Sequence, residues 1–420
     1  MGAKNTKHAK TKKNQNIVEE SLENNEILKK NILSKIPNPC FRKKEIFPHH
    51  KCVGIEMYKL KDINNAFYCI YTPAGDDDTI IYKYYYEKGI YEKRSTIKFQ
   101  KWHLSEIIIK YFYNPLNKKE YLFIMREYDD IIIIQIKAEN KFEFINKKEL
   151  TFEHMEYKSL EWRGSVGSVL EIESFEIIYN QYDNNIYIII SYSDGSYYDI
   201  QGTTWDSNYI RILTFKNDKL ILINTFKFKI NEPYYTMKII YEDKFSQKYN
   251  ILFVRDNNLQ LIDIKHKYKK KYKIKNFFES ENDLQLFKEN SDFKGCIIKK
   301  YNNNYNIDYL YLYCIEEKNS SNKNFIVIDL LNKKIIKKIQ IKTNDYVSSI
   351  LNWNNKFFIL ESNNSFYIFD IRNNEIISKY SNFSGSRPFV KFIKTFSSTK
   401  NNYYCLFVVT GDIINFFATS

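Results

Sequence analysis

The stretch FYIFDIRNNEIISKY, Phe366–Tyr380, decides the fold class of this chain. It consists of an apolar strand that ends in Phe-Asp, one further apolar residue, a polar turn and a second strand. The same order, with Ile-Asp at the end of the first strand, occurs in FIVIDLLNKKIIKKIQI (Phe325–Ile341) and in LQLIDIKHKYKKKYKI (Leu259–Ile274). Three such copies in one chain predict a repeated unit of two strands and a turn.

Most of the chain after Pro37 has the same local composition. Short runs of Ile, Val, Tyr and Phe alternate with Asn, Asp and Lys at regular spacing, and no long amphipathic helical pattern interrupts them. We therefore expect an all-β fold over residues 36–420. Residues 1–35 differ, because a lysine-rich stretch that predicts a disordered tail precedes a Glu-, Leu- and Lys-rich segment that predicts a short tether helix.

The three copies resemble the third and fourth strands of a blade in the WD-repeat family, where an aromatic or aliphatic residue precedes Asp at the end of the third strand. Tryptophan is absent from that dipeptide in all three copies, so the match is degenerate. The resemblance implies a β-propeller, in which four-stranded sheets are arranged around a central axis.

Extending the pattern in both directions predicts a propeller of seven blades, with six or eight as alternatives. The first unit has strands near Val53–Leu60, Phe67–Tyr71, Thr79–Tyr86 and Ile90–Phe99, and the next five run over Leu104–Phe152, Val169–Phe228, Tyr234–Lys275, Cys296–Ile341 and Tyr346–Tyr380. The seventh unit contains only three strands, at Phe389–Lys394, Tyr403–Val409 and Ile413–Ala418.

A strand from the amino-terminal side is expected to complete the seventh unit. The segment CFRKKEIF, Cys40–Phe47, lies immediately before the first strand and suits that role. Closure of this kind removes the exposed sheet edges at the seam, and unpaired edges promote association with other chains.

The composition offers little material for a catalytic site. Only 11 glycines occur in 420 residues, and none lies in a GxGxxG, Walker-type or GxSxG pattern. The six histidines are scattered without metal-ligand spacing, and the six cysteines include no CxxC pair. Carboxylate pairs such as Asp129-Asp130 fall at expected hairpin turns. We predict no enzymatic activity, no cofactor, no metal, and reduced thiols in an intracellular protein.

The amino terminus, MGAKNTKHAKTKK, predicts a membrane anchor. Gly2 followed by Thr6 fits the acceptor pattern for N-myristoylation. One myristoyl chain binds a membrane only marginally, but several basic residues near an anionic leaflet strengthen attachment by roughly a hundredfold. The lysines that follow Gly2 are Lys4, Lys7, Lys10, Lys12 and Lys13. The alternative is a chance match on a disordered basic tail.

The net charge of +14 favours anionic partners but is modest for 420 residues. No apolar run approaches the roughly 20 residues that a membrane-spanning helix needs. We therefore expect a cytoplasmic, peripheral membrane protein whose partners are an anionic membrane surface and other proteins, and we do not expect nucleic acid as a partner.

The segment SYSDGSYYDIQGTTWDSNY, Ser191–Tyr209, is the part of the β region that least resembles the repeat. It predicts a long insertion between the second and third strands of the third unit. Aromatic side chains supply large contact areas at low entropic cost, so this loop is a candidate recognition site. The residues that we expect to bind a partner are Tyr197, Tyr198, Asp199, Trp205 and Asp206. The alternative is a long hairpin that folds back on its own blade.

A second candidate is the basic run KHKYKKKYKIK, Lys265–Lys275. Basic and aromatic residues together can bind phosphate groups, although lysines on an outer strand more often protect a sheet edge. The phosphoinositide-binding propellers (PROPPIN family) are similar in blade count but carry a Phe-Arg-Arg-Gly motif that this sequence lacks, and Glu161-Trp162-Arg163-Gly164 does not replace it. The residues of this anionic-ligand patch are Lys267, Lys269, Lys270, Lys271 and Lys273.

The sequence thus predicts a protein-interaction scaffold tethered to the cytosolic face of a membrane through an acylated basic amino terminus. The alternative function is a phosphoinositide-binding propeller that itself reads the membrane surface.

Overall fold

The protein is an all-β propeller with one short helix among the residues that the structure describes. This computed structural model describes residues 45–46, 52–58, 60, 66–73, 78–85, 90–98, 107–126, 130–138, 141–149, 166–198, 202–229, 239–244, 246–255, 258–264, 274–302, 305–316, 319–343, 345–353, 357–362, 365–381, 390–398, 403–410 and 413–418.

The strands of the described chain form seven four-stranded antiparallel sheets. The first four sheets contain, in chain order, β2 (Cys52–Tyr58), β3 (Ala66–Pro73), β4 (Asp78–Tyr85) and β5 (Ile90–Lys98); β6 (Ile107–Asn114), β7 (Lys119–Arg126), β8 (Asp130–Ala138) and β9 (Lys141–Glu149); β10 (Val166–Asn180), β11 (Asn185–Tyr198), β12 (Gly202–Lys216) and β13 (Lys219–Lys229); and β14 (Ile239–Asp243), β15 (Lys248–Arg255), β16 (Asn258–Ile264) and β17 (Ile274–Asn276).

The remaining three sheets follow the same meander. The fifth and sixth contain β18 (Asn290–Asn302), β19 (Tyr305–Glu316), β20 (Asn319–Asp329) and β21 (Lys334–Ile341), and then β22 (Ser349–Trp353), β23 (Phe357–Ser362), β24 (Ser365–Asp370) and β25 (Glu375–Ser381). The seventh contains β26 (Val390–Ser398), β27 (Tyr403–Thr410), β28 (Ile413–Ala418) and, as its fourth strand, β1 (Glu45–Ile46).

The fourth strand of the seventh sheet comes from the other end of the chain. In β1, Glu45 pairs with Ile414 and Ile46 pairs with Ile413 of β28, in antiparallel register. These two residues belong to the segment Cys40–Phe47 that the sequence predicts as the closing strand. The rest of that segment lies outside the described residues.

Side-chain packing joins six of the sheets in succession. Five clusters of buried apolar residues lie between the first and second, second and third, third and fourth, fourth and fifth, and fifth and sixth sheets. In five of these sheets, the second to the sixth, the side chains of all four strands are described, and we count these five as blades, fewer than the seven predicted. The described side chains do not extend to the seventh sheet, and a closed seven-bladed ring therefore stays a prediction.

Strand direction divides the connections between two faces of the propeller. The strands of each sheet, lettered a to d in meander order, alternate in direction. The a–b and c–d turns therefore lie on one face, which we call the turn face. The b–c hairpins and the connections from one sheet to the next lie on the opposite face, which we call the hairpin face.

Five turns on the turn face share one five-residue arrangement. An Asn or Asp that ends strand a or c accepts a backbone hydrogen bond from two or three residues later, and the residue at the fifth position has positive φ. Short Asn and Asp side chains bond readily to nearby backbone, which favours a turn over a continued strand. The five turns begin at Asn114, Asn180, Asp243, Asp329 and Asp370, and their positive-φ residues are Lys118, Asn184, Gln247, Lys333 and Asn374.

In two of the three copies of the repeat, the Asp of the Ile-Asp or Phe-Asp dipeptide stabilises the fold by beginning such a turn. Asp329 accepts hydrogen bonds from the backbone nitrogens of Leu331 and Asn332, both at 2.9 Å. Asp370 accepts one from the backbone nitrogen of Arg372 at 2.8 Å. In the third copy, the Asp263 carboxylate lies between two lysines, at 3.3 Å from Lys248 Nζ and 3.4 Å from Lys275 Nζ.

One short helix, α1 (Glu281–Lys288), lies between the fourth and fifth sheets and was not predicted. Ser280 caps it by accepting a hydrogen bond from the Asp283 backbone nitrogen. Its Phe287 is fully buried and stacks on Phe293 with ring centroids 4.3 Å apart. Among the described residues, no helix is both long and apolar enough to cross a bilayer.

Candidate interaction surface

The third sheet carries the three longest strands of the described chain. β10, β11 and β12 contain 15, 14 and 15 residues, whereas the strands of the sixth sheet contain five to seven. The fourth strand, β13, ends where Lys229 pairs with Ser207. Beyond that point β10, β11 and β12 continue as a three-stranded ribbon on the hairpin face. The four residues Gly195–Tyr198 of β11 extend it by about 13 Å at the usual strand rise.

The ribbon contains most of the predicted partner-binding residues. Tyr197 and Tyr198 end β11, where they pair with Thr203 and Gly202. Trp205 and Asp206 lie in β12 on the other side of the hairpin. The backbone thus brings four of the five predicted residues to one tip, and Asp199 lies outside the described residues.

A β-bulge lies next to Trp205. Ser207 pairs with Asp194 and Trp205 pairs with Gly195, so Asp206 is the extra residue of the bulge. Bulges increase the local twist of a strand and change the direction of its side chains, and they are common next to functional sites.

The prediction of an inserted loop was wrong. Residues 191–198 and 202–209 lie in the paired strands β11 and β12, whose pairing continues, with the one bulge, into the body of the sheet. The backbone adopts the alternative structure, a long hairpin. The polar composition of this segment concealed the strands, because it lacks the alternation of apolar residues by which a half-buried strand is recognised.

Packed aromatic and cationic side chains support the base of the ribbon. Tyr192 and Tyr209 are cross-strand neighbours whose rings stack at 4.7 Å. The Arg211 guanidinium lies 5.4 Å from the Tyr192 ring centre, and Lys227 Nζ lies 5.4 Å from that of Tyr209. Both tyrosines and Arg211 are buried. Cation–π contacts are stronger when they are removed from water, so this base holds the ribbon firmly on the blade.

A polar cluster that the sequence did not predict lies on the same face, between the fifth and sixth sheets. The Asp345 carboxylate accepts hydrogen bonds from Tyr367, from Ser365 at 3.0 Å and from Lys379 at 3.0 Å. The hydrogen bond from Tyr367 contributes most to lowering the pKa of Asp345. Lys323 of the neighbouring sheet donates to the Asp345 backbone oxygen at 2.9 Å, and burial lowers the pKa of this lysine.

The side chains of this cluster bond to one another, so we interpret it as a clamp between two blades rather than a binding site. No sequence pattern marks it, because Asp345 lies in a connection and Lys323 lies on a different sheet.

The predicted sites at the amino terminus and in the basic run lie outside the described residues, and their roles stay predictions. They comprise Gly2, Lys4, Lys7, Lys10, Lys12 and Lys13, and then Lys267, Lys269, Lys270, Lys271 and Lys273.

Two cysteines have described side chains, and both are free thiols. Burial raises the pKa of the Cys314 thiol to about 12, and burial also raises the pKa of Cys296. Thiols that ionise so weakly are poor nucleophiles. Over the described part of the chain, no cluster of His, Cys, Asp and Glu has the make-up of a metal site.

Comparison with known proteins yields similarity of shape only. No family model and no curated protein matches the chain. The AfRom2 CNH domain superimposes with a TM-score of 0.47 at 9% identity, covering 90% of this chain and 99% of that one. Raptor from Chaetomium thermophilum gives a TM-score of 0.49 at 8% identity, covering 92% of this chain and 30% of that one. The propeller assignment therefore rests on this chain's own strand pairing.

Proposed function

We propose that this protein is a non-enzymatic interaction scaffold whose hairpin face binds partner proteins and whose acylated basic amino terminus holds it on the cytosolic face of a membrane. The observation that carries the scaffold function is the three-stranded ribbon of the third sheet. It extends past the fourth strand of its blade, and its sequence concentrates tyrosine and tryptophan at the tip.

The ribbon is suited to binding because its backbone is already ordered. A flexible loop loses conformational freedom when it binds, at a cost of about 0.5–1.5 kcal/mol for each immobilised flexible side chain. Continuous strand pairing and the stack of Tyr192 on Tyr209 at the base reduce the ordering that a partner must impose. Tyr and Trp are also among the residues most enriched where interfaces gain most of their energy.

The membrane anchor is supported by sequence alone. Gly2 and Thr6 provide an acyl-acceptor pattern, and the lysines of the tail provide a basic segment. Each is a weak anchor without the other. Confinement to a surface raises the local concentration of bound partners, which is the mechanism that we propose for the scaffold.

The ribbon is tested by proximity labelling from the intact protein in cells. We expect Tyr197→Ala combined with Trp205→Ala to reduce labelling of the main partners at least tenfold, since the loss of central aromatic residues removes well over ~1.4 kcal/mol of binding energy. The matched control is Phe144→Ala, because Phe144 is an aromatic residue that is 59% exposed on another blade. Equal labelling by both variants and the wild type would exclude the ribbon as the binding surface.

The anchor is tested by membrane fractionation of Gly2→Ala. We expect this variant to become largely soluble while its partner binding persists in solution. If the propeller reads the membrane itself, Gly2→Ala should stay on membranes and dissociate only when Lys269, Lys270 and Lys271 are also neutralised. That second result would replace the scaffold proposal with the lipid-binding alternative.

A further inference from the structure

A cleft on the turn face lies between the fourth and fifth sheets. It is a half-open depression whose empty space, with the adjoining open solvent included, is about 440 Å³. The a–b turn of the fourth sheet forms one wall, and β18, β19 and the c–d turn of the fifth sheet form the other. The lining residues are Tyr241, Glu242, Asp243, Lys244, Lys299, Asp308, Leu330 and Leu331.

Tyr241 contributes an unused hydroxyl group to this cleft. The residue is only 7% exposed and packs in the apolar cluster between the two sheets. The hydroxyl makes no hydrogen bond to any residue that the structure describes. Burial, followed by the charges of Asp243, Asp263 and Asp308, raises its pKa. The hydroxyl thus opens into the cleft and lies in the field of these carboxylates.

Asp308 contributes a second unused polar group. Within the described chain its carboxylate accepts no hydrogen bond and forms no ion pair. Its backbone oxygen alone is used, by the Leu330 backbone nitrogen at 3.2 Å. Burial contributes most to raising the pKa of Asp308, the lysines of the cleft lower it, and the neighbouring acidic residues raise it further.

The other two carboxylates of the cleft are already engaged. Glu242 accepts hydrogen bonds from Gln181 and, at 3.0 Å, from the Tyr182 hydroxyl. Asp243 accepts from the Ser246 hydroxyl and, at 3.1 Å, from the Ser246 backbone nitrogen. The Tyr241 hydroxyl and the Asp308 carboxylate are thus the lining groups that make no side-chain hydrogen bond to a described residue, and both bonds to Glu242 fall on its Oε1. Because the lining has three carboxylates and two lysines, it is acidic overall.

We propose that this cleft binds the cationic end of a lysine or arginine side chain from a partner protein. An ammonium or guanidinium group would donate hydrogen bonds to the Asp308 carboxylate and to the Tyr241 hydroxyl oxygen. Leu330 and the exposed Leu331 would cover the aliphatic stem, as apolar surface does for long basic side chains. The inference rests on the proposed scaffold function, since it takes the cation from a protein.

The partly buried carboxylate of Asp308, which bonds to no described residue, supports a binding role over a structural one. A carboxyl group whose pKa is raised on folding favours the folded state only while it is protonated, so ionised Asp308 opposes folding at neutral pH. Asp308→Asn should therefore leave the melting temperature unchanged or higher, while it removes the charge that a cation needs. A melting temperature that stays the same or rises while binding is lost is typical of a residue that serves binding at some cost in stability.

Calorimetric titration of the full chain with two capped pentapeptides tests the proposal. One peptide has a central arginine between glycine and alanine residues, and the other has citrulline, which is uncharged and nearly the same shape. We expect the arginine peptide to bind, and the citrulline peptide to bind at least tenfold more weakly. We expect Asp308→Asn to weaken binding of the arginine peptide about tenfold, and Tyr241→Phe about threefold, because the guanidinium bonds more strongly to a charged carboxylate than to a neutral hydroxyl oxygen.

Glu279→Gln is the matched control, because Glu279 is an exposed carboxylate that pairs with Lys333 near the same two sheets. This variant should bind the arginine peptide like the wild type, and melting temperatures no lower than that of the wild type will show that all three variants fold. Equal binding of the two peptides, no binding of either, or full binding by Asp308→Asn would overturn the proposal.

A third titration, with spermidine, tests whether the cation belongs to a free polyamine or to a side chain of a partner protein. If spermidine binds more tightly than the arginine peptide and depends on Asp308, the site takes a free polyamine, and a partner side chain is excluded as its ligand. None of these results alters the labelling outcome for Tyr197 and Trp205. Failure of the cleft and failure of the scaffold function are therefore distinguishable.

Discussion

Replacing Phe325 by alanine is expected to lower the free energy of unfolding by about 3–5 kcal/mol. Phe325 is fully buried in β20, where its ring centre lies 4.9 Å from that of Phe369 and 5.3 Å from that of Phe358, both in the next sheet. Tyr311 and Tyr313 of its own sheet pack against it at 6.2 and 6.1 Å. Truncation leaves a cavity, and the surrounding aromatic rings cannot readily move to fill it because each is fixed in a hydrogen-bonded sheet.

Urea denaturation followed by circular dichroism measures this change. Phe144→Ala again serves as the control, since its exposed ring should alter stability by no more than about 0.5 kcal/mol. Phe325→Leu should fall between the two variants. Similar losses for Phe325→Ala and Phe144→Ala would contradict the packing of the fifth sheet against the sixth.

Asp370→Ala should lower the free energy of unfolding by about 2–3 kcal/mol, because a buried acceptor of several hydrogen bonds is lost. Asp370 Oδ1 accepts from the Arg372 backbone nitrogen at 2.8 Å and from its Nε at 3.0 Å, and Oδ2 accepts from its Nη2 at 2.7 Å. The guanidinium also lies 5.3 Å from the Phe357 ring centre. Without the carboxylate, a backbone donor loses its acceptor and Arg372 loses the group that orients it over this ring.

Asp370→Asn separates the turn from the ion pair in the same denaturation assay. The amide oxygen can still accept from the Arg372 backbone nitrogen, so we expect a loss of only about 1 kcal/mol. Asp329→Asn is the matched control, because Asp329 begins the equivalent turn of the fifth sheet and bonds Asn332 instead of an arginine. If Asp370→Ala and Asp370→Asn destabilise the protein equally, the backbone hydrogen bond does not hold the turn.

The repeated turns explain why the sequence predicted the fold class. Asp329 and Asp370 act through hydrogen bonds to residues two or three positions away, and the strands beside them alternate or run apolar over a few residues. Both signals are local, so they can be recognised in the sequence even though tryptophan is absent from the dipeptide that ends the third strand. The closing pair Glu45–Ile46 was predictable for a different reason, since a sheet with three strands at one end of the chain requires a fourth.

The parts that could not be predicted depend on contacts between distant residues or on weak local signals. Tyr241, Asp308 and Leu330 line one cleft, but they come from two sheets and are up to 89 positions apart, the difference between 330 and 241. The helix α1 has a short capping signal at Ser280, which is easily overlooked among so many strands. The ribbon of the third sheet reads as a loop because its strands continue beyond the apolar core.

The central claim is that consecutive blades close into a ring through the amino-terminal strand, and a disulfide cross-link tests it most directly. Facing residues of antiparallel strands have Cα atoms about 4.5–5.5 Å apart, which is within the range that a disulfide spans. Glu45→Cys with Ile414→Cys introduces cysteines at paired positions, whereas Glu45→Cys with Ile413→Cys places them one residue out of register.

Under mild oxidation, peptide mapping by mass spectrometry should find the 45–414 cross-link in high yield and little 45–413 cross-link, because neighbouring positions on a strand point to opposite faces. Efficient cross-linking of the first pair, with the second pair as background, is the result that ring closure predicts. No cross-link at 45–414, or equal yields for the two pairs, would contradict the closed propeller.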